Sequence, residues 1–349
     1  MSNTNPKTTL FVGTAIGVLL ATVGYALLLA NTKQTNTVVV LKLAHGLKAE
    51  HPVHQGMLEM QRRLAELSNG TMAIQIYSSG QLGNEKEVLE AVKGGNIAMT
   101  KVSAAALEDY NKAMGAFTLP YIFHNRTHYW AFLNSPAGQA LLNSTSAHNL
   151  RGLCYYDAGA RSIYINKKTN RAILKPDDLR GLKIRVMGSK NMSDMIAAFG
   201  GTGIPRPWGE LYTDLQNGVV DGAENNPPSF NSANHYLTSS YFCLNEHLRI
   251  PDMLIIGEIT WGKLSSIQRK WLTQAASESS TLQQTLWTES TKASLAKVKG
   301  AGVKVISAEE MDMISFRAKV KPLVDAARKT NAKIDAALTS IEALAPKSK

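Results

Sequence analysis

Val38-Val39-Val40-Leu41-Lys42-Leu43-Ala44 is a nearly continuous apolar run of strand length, and the polar stretch from His45 to His51 predicts a loop at its carboxyl end. Pro52 then opens a helix. Val53, Met57, Met60, Leu64 and Leu67 recur at three- and four-residue steps along it, and Gly70 offers the left-handed stop. Met72, Ile74 and Ile76 alternate as a second strand ended by Ser78-Ser79-Gly80, Glu85 to Lys93 forms a helix, and Ile97 to Val102 supplies a third strand. This β-α-β-α order predicts a doubly wound unit whose ligand side lies beyond the strand carboxyl ends.

The order restarts after Lys175-Pro176-Asp177-Asp178. Residues 181 to 186 predict a strand, 191 to 199 a helix, 200 to 207 a Gly- and Pro-rich loop, 208 to 217 a helix, and Val219-Val220-Asp221 a strand. From Leu264 onward the pattern turns to long helices. Ser265-x-x-Gln268 and Ser307-x-x-Glu310 read as capping boxes on either side of a strand at 303 to 306. The expected architecture is α/β with two lobes: 38–158 mainly the first, 159–250 mainly the second, and 251–349 returning strands and helices that brace both. No solenoid-like repeat or low-complexity tract interrupts it.

Thr8 to Ala30 is almost unbroken apolar sequence behind a short segment carrying Lys7, the pattern of an export signal. Its length suits either a cleaved signal or a retained membrane anchor, so residues 1–30 carry both readings. With 349 residues, 44% hydrophobic and 19% charged, the chain is long enough for two cores. Its net charge of +11 is spread without dense basic blocks or interleaved aromatics. That argues against nucleic acid and for a protein whose field gathers small anions. Two cysteines, Cys154 and Cys243, form no disulfide framework, and a single bond or two buried thiols remain open.

Candidate chemistry gathers in the second half. The run Gly209 to Asn225 joins a short helix to a strand through a polar turn ending in Asn225. Leu182, Ile184 and Val186 face one way and turn Arg185 to the other, where its planar guanidinium needs an anion: an internal carboxylate or a ligand. Asp221 and Glu224 read as residues that satisfy backbone groups of the turn. With Arg161 in Gly159-Ala160-Arg161 and the Lys-Ile-Arg-Val segment around Arg185, the run closely resembles the signature of DctP-type substrate-binding proteins of tripartite ATP-independent periplasmic (TRAP) transporters, from about Leu41 to about Leu323.

The resemblance implies a two-lobed, type II-like periplasmic binding protein fold and a non-enzymatic role. It makes Arg185 the main partner of a ligand carboxylate, Arg161 a supporting arginine and Asn225 a neutral donor to the same group. Trp208 falls where the family often sets an aromatic against its ligand. With Asn225-Asn226-Pro227-Pro228-Ser229-Phe230 it resembles members that take uronic or other sugar acids, with a C4-dicarboxylate or other small carboxylate as the alternative. The implied partners are this organic acid and the membrane subunits of a TRAP permease in the periplasm, with no cofactor.

In the first lobe, His45, Lys48, Glu50 and His51 lie in the loop after the first strand and Ser103 follows a later one, all placed to meet ligand hydroxyls. A soluble enzyme on acidic sugars is the reading from another class, and a sensor input is a third. His124-Asn125-Arg126-Thr127-His128 spaces two histidines by one helical turn but lacks the glutamate of a zinc-protease motif, and reads as a surface pair. No phosphate loop, dinucleotide fingerprint or serine-hydrolase elbow occurs.

Overall fold

β1 (Val39–Ala44), β2 (Met72–Tyr77), β3 (Met99–Ser103) and β4 (Leu150–Tyr156) fall in the first half of the chain. They are followed by β5 (Arg161–Asn166), β6 (Lys183–Val186), β7 (Thr202–Pro205), β8 (Gly222–Asn225), β9 (Ser239–Leu248), β10 (Asp252–Gly257) and β11 (Lys304–Ile306). The structure, a computed structural model, describes residues 37–346, so the apolar segment Thr8 to Ala30 lies outside the described residues.

The strands form two mixed sheets. One has the order β2-β1-β3-β10-β4 and the other β11-β9-β5-β8-β6-β7. β1 and β3 run parallel, as a doubly wound start requires, and β10 enters antiparallel between β3 and β4. In the second sheet β5 lies antiparallel between β8 and β9, while β6 is parallel to both β7 and β8. The chain crosses between the sheets from β4 to β5 through residues 157–160, and back from β9 to β10 through residues 249–251.

A helix from Ser266 to Gly300 spans both halves, packing against the helix Pro52–Leu67, against β4 and against the short helix Pro227–Ser232. Its start is the reciprocal Ser265–Gln268 box expected from sequence. At the first crossover Gln283 of this helix holds Asp157 by both backbone groups, accepting from its N at 2.7 Å and donating to its O at 2.9 Å. The fully buried Asp157 carboxylate accepts from Arg126, Trp130 and the Gly159 amide. Gly159 has φ +61°, and a Cβ there would sit 2.6 Å from Trp287 Nε1. Only glycine suits both the backbone and the close approach.

Three local expectations are corrected. Residues 200–207 contain an edge strand, β7, although Gly and Pro suggest a loop. Gly203 packs so tightly on the helix Lys190–Ala198 that a Cβ would lie 2.7 Å from Ser193 Cα, and Pro205 is tolerated at an edge. The strand expected at 219–221 begins at Gly222 instead, which places Asn225 in β8 rather than in a turn. The helix Leu211–Asn217 ends at Gly218 with φ +76°, and the Asp221 carboxylate accepts from Thr169 Oγ1 and the Lys183 amide. The Ser307–Glu310 box starts only a short 3-10 turn. The chain extends at Met311, and the helix Met313–Thr330 takes Asp312 as its cap.

Candidate functional site

In the register of the second sheet, Arg185 on β6 pairs with Ala223 on β8, and Ala223 pairs with Tyr164 on β5. Asn225 is two residues beyond Ala223, on the same face. Arg185 is 3% exposed. Its Nε and Nη2 donate to the Arg206 carbonyl at 2.9 and 2.7 Å, and its Nη1 is buried without an acceptor. No carboxylate among the described residues forms an ion pair with it, and burial pulls its guanidinium below the ordinary arginine value. The half-buried Trp208 stands with its ring centroid 5.8 Å from Arg185 Cζ.

Asn225 accepts from the Asn226 amide through Oδ1 at 2.9 Å, which leaves the donors of its side-chain amide outside that bond. Asn226, expected as a ligand contact, is committed to the fold. Its Oδ1 caps the helix Pro227–Ser232 by accepting from Ser229 N, and its Nδ2 donates to the Ala158 carbonyl at 3.0 Å. His51 also has a structural task, accepting from Val53 N through Nδ1 and meeting Ser229 Oγ through Nε2 at 3.1 Å.

Arg161, expected to support the ligand carboxylate, already has a carboxylate. Its Nε and Nη2 form a fork on Glu224 at 2.5 and 2.8 Å, and Nη2 also reaches the Glu224 carbonyl at 3.0 Å. Glu224 is fully buried and serves as this counter-ion instead of satisfying a turn. Burial alone raises a carboxyl, but Arg161 and His247 outweigh it and hold Glu224 near 2.

On the side of the first sheet, His45 has no ring nitrogen left for a hydroxyl. Nδ1 accepts from Leu47 N at 3.1 Å and Nε2 meets His54 Nδ1 at 3.0 Å. Burial, then Lys101 and His54, lower it to about 3 and keep it neutral. Ser103 is buried and caps a 3-10 turn, with Oγ accepting from Ala105 N. Glu50 is exposed, and its charge opposes the lowering that burial imposes on His54. Lys48 is exposed at the rim of a cleft of about 370 Å³. Lys48 and Ser79 border one wall of this cleft, and Trp208, Tyr212, Asn234 and His235 the other.

Two groups escaped the sequence reading. Lys101 is buried on β3, 3.2 Å from Asp252 and 3.7 Å from Glu85. Burial lowers it, but these two carboxylates outweigh the effect and raise its ammonium above the ordinary value. A lysine inside a strand whose five residues are all buried is itself the signal that counter-ions must be nearby. His235, bonded to Tyr164 Oη at 2.8 Å and 4.9 Å from the Trp208 ring centroid, is lowered to about 3 by burial and then by Arg185 and Lys48. Nothing in its local sequence marks it.

Among the described residues there is no group of three or more metal-ligating side chains. His128 is not part of a surface pair: it is 2% exposed, accepts from His124 N through Nδ1 and meets the Ile341 carbonyl at 2.7 Å. Cys154 and Cys243 are buried free thiols.

Residues 43–330 match the family model for bacterial extracellular solute-binding proteins of family 7, DctP. A solute-binding protein of Chromohalobacter salexigens is 30% identical over 292 residues, 84% of this chain and 85% of its own. The TRAP periplasmic solute-binding protein of Xanthobacter autotrophicus Py2, solved with β-D-galacturonate, superposes with TM-score 0.82 at 33% identity, covering 87% of this chain and 99% of its own. That of Roseobacter denitrificans, solved with β-D-glucuronate, gives TM-score 0.83 at 30% identity with the same coverage.

Proposed function

The chain belongs to the bacterial extracellular solute-binding proteins of family 7, and from that premise we propose that it captures a uronate or closely related sugar acid through Arg185. It is a transport component and not an enzyme. The observation that carries the ligand class is the Arg185 guanidinium itself: buried, unpaired by any carboxylate of the described residues, and with Nη1 lacking an acceptor. A buried charge without a partner costs several kcal/mol, so a group that completes it binds with a large share of that energy. A planar carboxylate fits the fork. Asn225 contributes neutral donors from the same face, and Trp208 gives a ring-bearing ligand an apolar surface.

The two structures solved with hexuronates support a sugar acid over a dicarboxylate. In this reading the sheets belong to two lobes, mainly 38–158 and 159–250, that close about the crossovers. Closure is a population shift by a ligand touching both sides. The closed form delivers its ligand to the membrane subunits of a TRAP permease in the periplasm, and the apolar segment Thr8 to Ala30 provides export or a tether.

A thermal-shift screen of organic acids tests this reading, because a ligand at about 100 times its dissociation constant stabilises the fold by about 2.7 kcal/mol. Glucuronate or galacturonate should raise the melting temperature and glucose should not. A shift by glucose equal to that by glucuronate sinks the assignment of Arg185.

A further inference from the structure

The first sheet has a second end, opposite the loop 45–51 that follows β1, and a patch of apolar and basic side chains lies there. Met99 on β3 pairs with Leu43 on parallel β1 and with Ile256 on antiparallel β10. Val40, three residues before Leu43, and Ile259, three residues after Ile256, therefore stand at the same end of the sheet, with only β3 between their strands, a separation of about 10 Å. Ile259 closes on the turn that precedes β3: a Cβ on Gly95 would come within 3.1 Å of its Cγ2.

Ile259 on the short helix Glu258–Lys263 and Ile267 at the start of the long helix are both exposed. Between them in sequence, the half-buried Trp261 is flanked by two guanidinium groups, with Arg151 Cζ 5.0 Å and Arg269 Cζ 5.5 Å from its ring centroid. Arg269 is fixed there by bonds from Nε and Nη2 to the carbonyls of Trp261 and Gly262. Lys263 and Lys270 are exposed beside them. The carboxylates nearby are already engaged: Glu258 pairs with Arg151 at 2.9 Å, and Glu278, at the far end of a groove of about 650 Å³ that Trp261, Arg269 and Lys270 border, pairs with Arg63. The charge of Lys263, Arg269 and Lys270 is thus left to an outside anion. Isoleucines framed by arginine and lysine, with an indole at the boundary, have the chemistry of a membrane interface.

The chain leads from this same end of the sheet towards its apolar run. Residues 31–39 separate Ala30 from Val40, and fully extended they reach about 30 Å. When Thr8 to Ala30 is retained as an anchor, the start of β1 is held within that distance of the bilayer.

We propose that this end of the first sheet is a membrane-docking surface, with Ile259, Trp261 and Ile267 entering the headgroup region and Lys263, Arg269 and Lys270 meeting anionic phospholipids. Docking in this way leaves the loop 45–51 turned from the bilayer, and it does not depend on the role of Arg185. All five tryptophans lie between residues 130 and 287, outside the apolar run, so a lipid that quenches indole fluorescence reports on the rest of the chain alone. The full chain is reconstituted in vesicles of brominated phosphatidylcholine with and without phosphatidylglycerol. Wild type should be quenched far more in the anionic vesicles than in the neutral ones, and Trp261→Phe should lose most of that difference. Lys263→Glu combined with Lys270→Glu should abolish it at an unchanged melting temperature, since each basic residue at an anionic surface contributes about fivefold to the equilibrium. Equal quenching in the two kinds of vesicle overturns the surface, as does a charge-reversed variant quenched like wild type. Quenching that arises only in vesicles holding other membrane proteins makes the occupant a protein and overturns the lipid assignment.

Discussion

Arg161 and Glu224 lock together across β5 and β8 in a two-bond fork of 2.5 and 2.8 Å, while Arg185, equally buried on neighbouring β6, has no carboxylate partner among the described residues. Glu224 outweighs burial and raises Arg161, whereas burial dominates at Arg185 and lowers it. Two arginines that look alike in sequence thus end in different surroundings: one is paired with a carboxylate of the chain, and the other donates to a backbone carbonyl.

Arg185→Lys should therefore lose sugar-acid affinity by about 2 to 5 kcal/mol, the usual effect of spoiling a buried hydrogen-bonded charge pair. A single ammonium cannot reproduce the fork. Its melting temperature without ligand should fall only slightly, since no protein carboxylate loses a partner and the change is confined to the bonds on the Arg206 carbonyl. Calorimetry and a ligand-free melt decide it; retained affinity with a large loss of stability would make Arg185 structural.

Arg161→Met should show the reverse balance. It strands Glu224 as a fully buried carboxylate, at a cost of about 3 to 5 kcal/mol in ligand-free stability. Adding Glu224→Leu should recover much of the loss, because an apolar pair no longer carries an unmatched charge. Urea unfolding of the single and double variants measures both values.

Trp208→Ala should weaken ring-bearing sugar acids by about 0.5 to 1.5 kcal/mol more than a short acid without a ring, since only a ring presents a face to the indole. Parallel titrations with a hexuronate and a C4-dicarboxylate give the difference. Equal losses would assign Trp208 to packing.

Stability should fall in mild acid. His45 and His235 are held near 3 against an ordinary value of 6.5, so the unfolded chain binds more protons than the folded one between these limits. Stability then rises with pH across that window and is lost as pH drops from about 6.5 towards 3. Glu224, held near 2, adds loss of the same sign below about 4.5. Melting temperature against pH checks this, and His235→Gln should flatten the curve above pH 4.5.

Gly159→Ala should destabilise by at least about 1 to 3 kcal/mol, combining a left-handed backbone with a contact of 2.6 Å to Trp287 Nε1. Urea unfolding compared with Gly188→Ala, where a Cβ meets open space, isolates the effect.

Much of the fold was legible because its signals are local. Apolar runs gave β1, β2 and the helix Pro52–Leu67, and the Ser265–Gln268 box marked the start of the long helix. Local signals failed where a distant neighbour set the outcome. β7 forms where Gly203 can lie against Ser193, and the Asp221 carboxylate is held by Thr169 and Lys183, both distant in sequence. The Ser307–Glu310 box formed as written, but its turn is not the start of the helix.

The candidate site divides in the same way. Residue type and strand position by themselves turned Arg185 to the side opposite the apolar residues of its strand and required an anion for it, since a guanidinium out of water needs a counter-charge whatever surrounds it. Whether that anion is internal was a matter of tertiary structure. β5 and β8 bring Glu224 to Arg161, leaving Arg185 with the carbonyl of Arg206. In the same way Asn226 and His45 are polar enough for ligand contacts, yet the bonds that the structure shows for them are to Ala158, Ser229, Leu47 and His54. The sequence determines which groups need partners; only the packing of strands far apart in the chain decides which partner each one meets, because hydrogen bonds and ion pairs act over a few ångströms and not along the sequence.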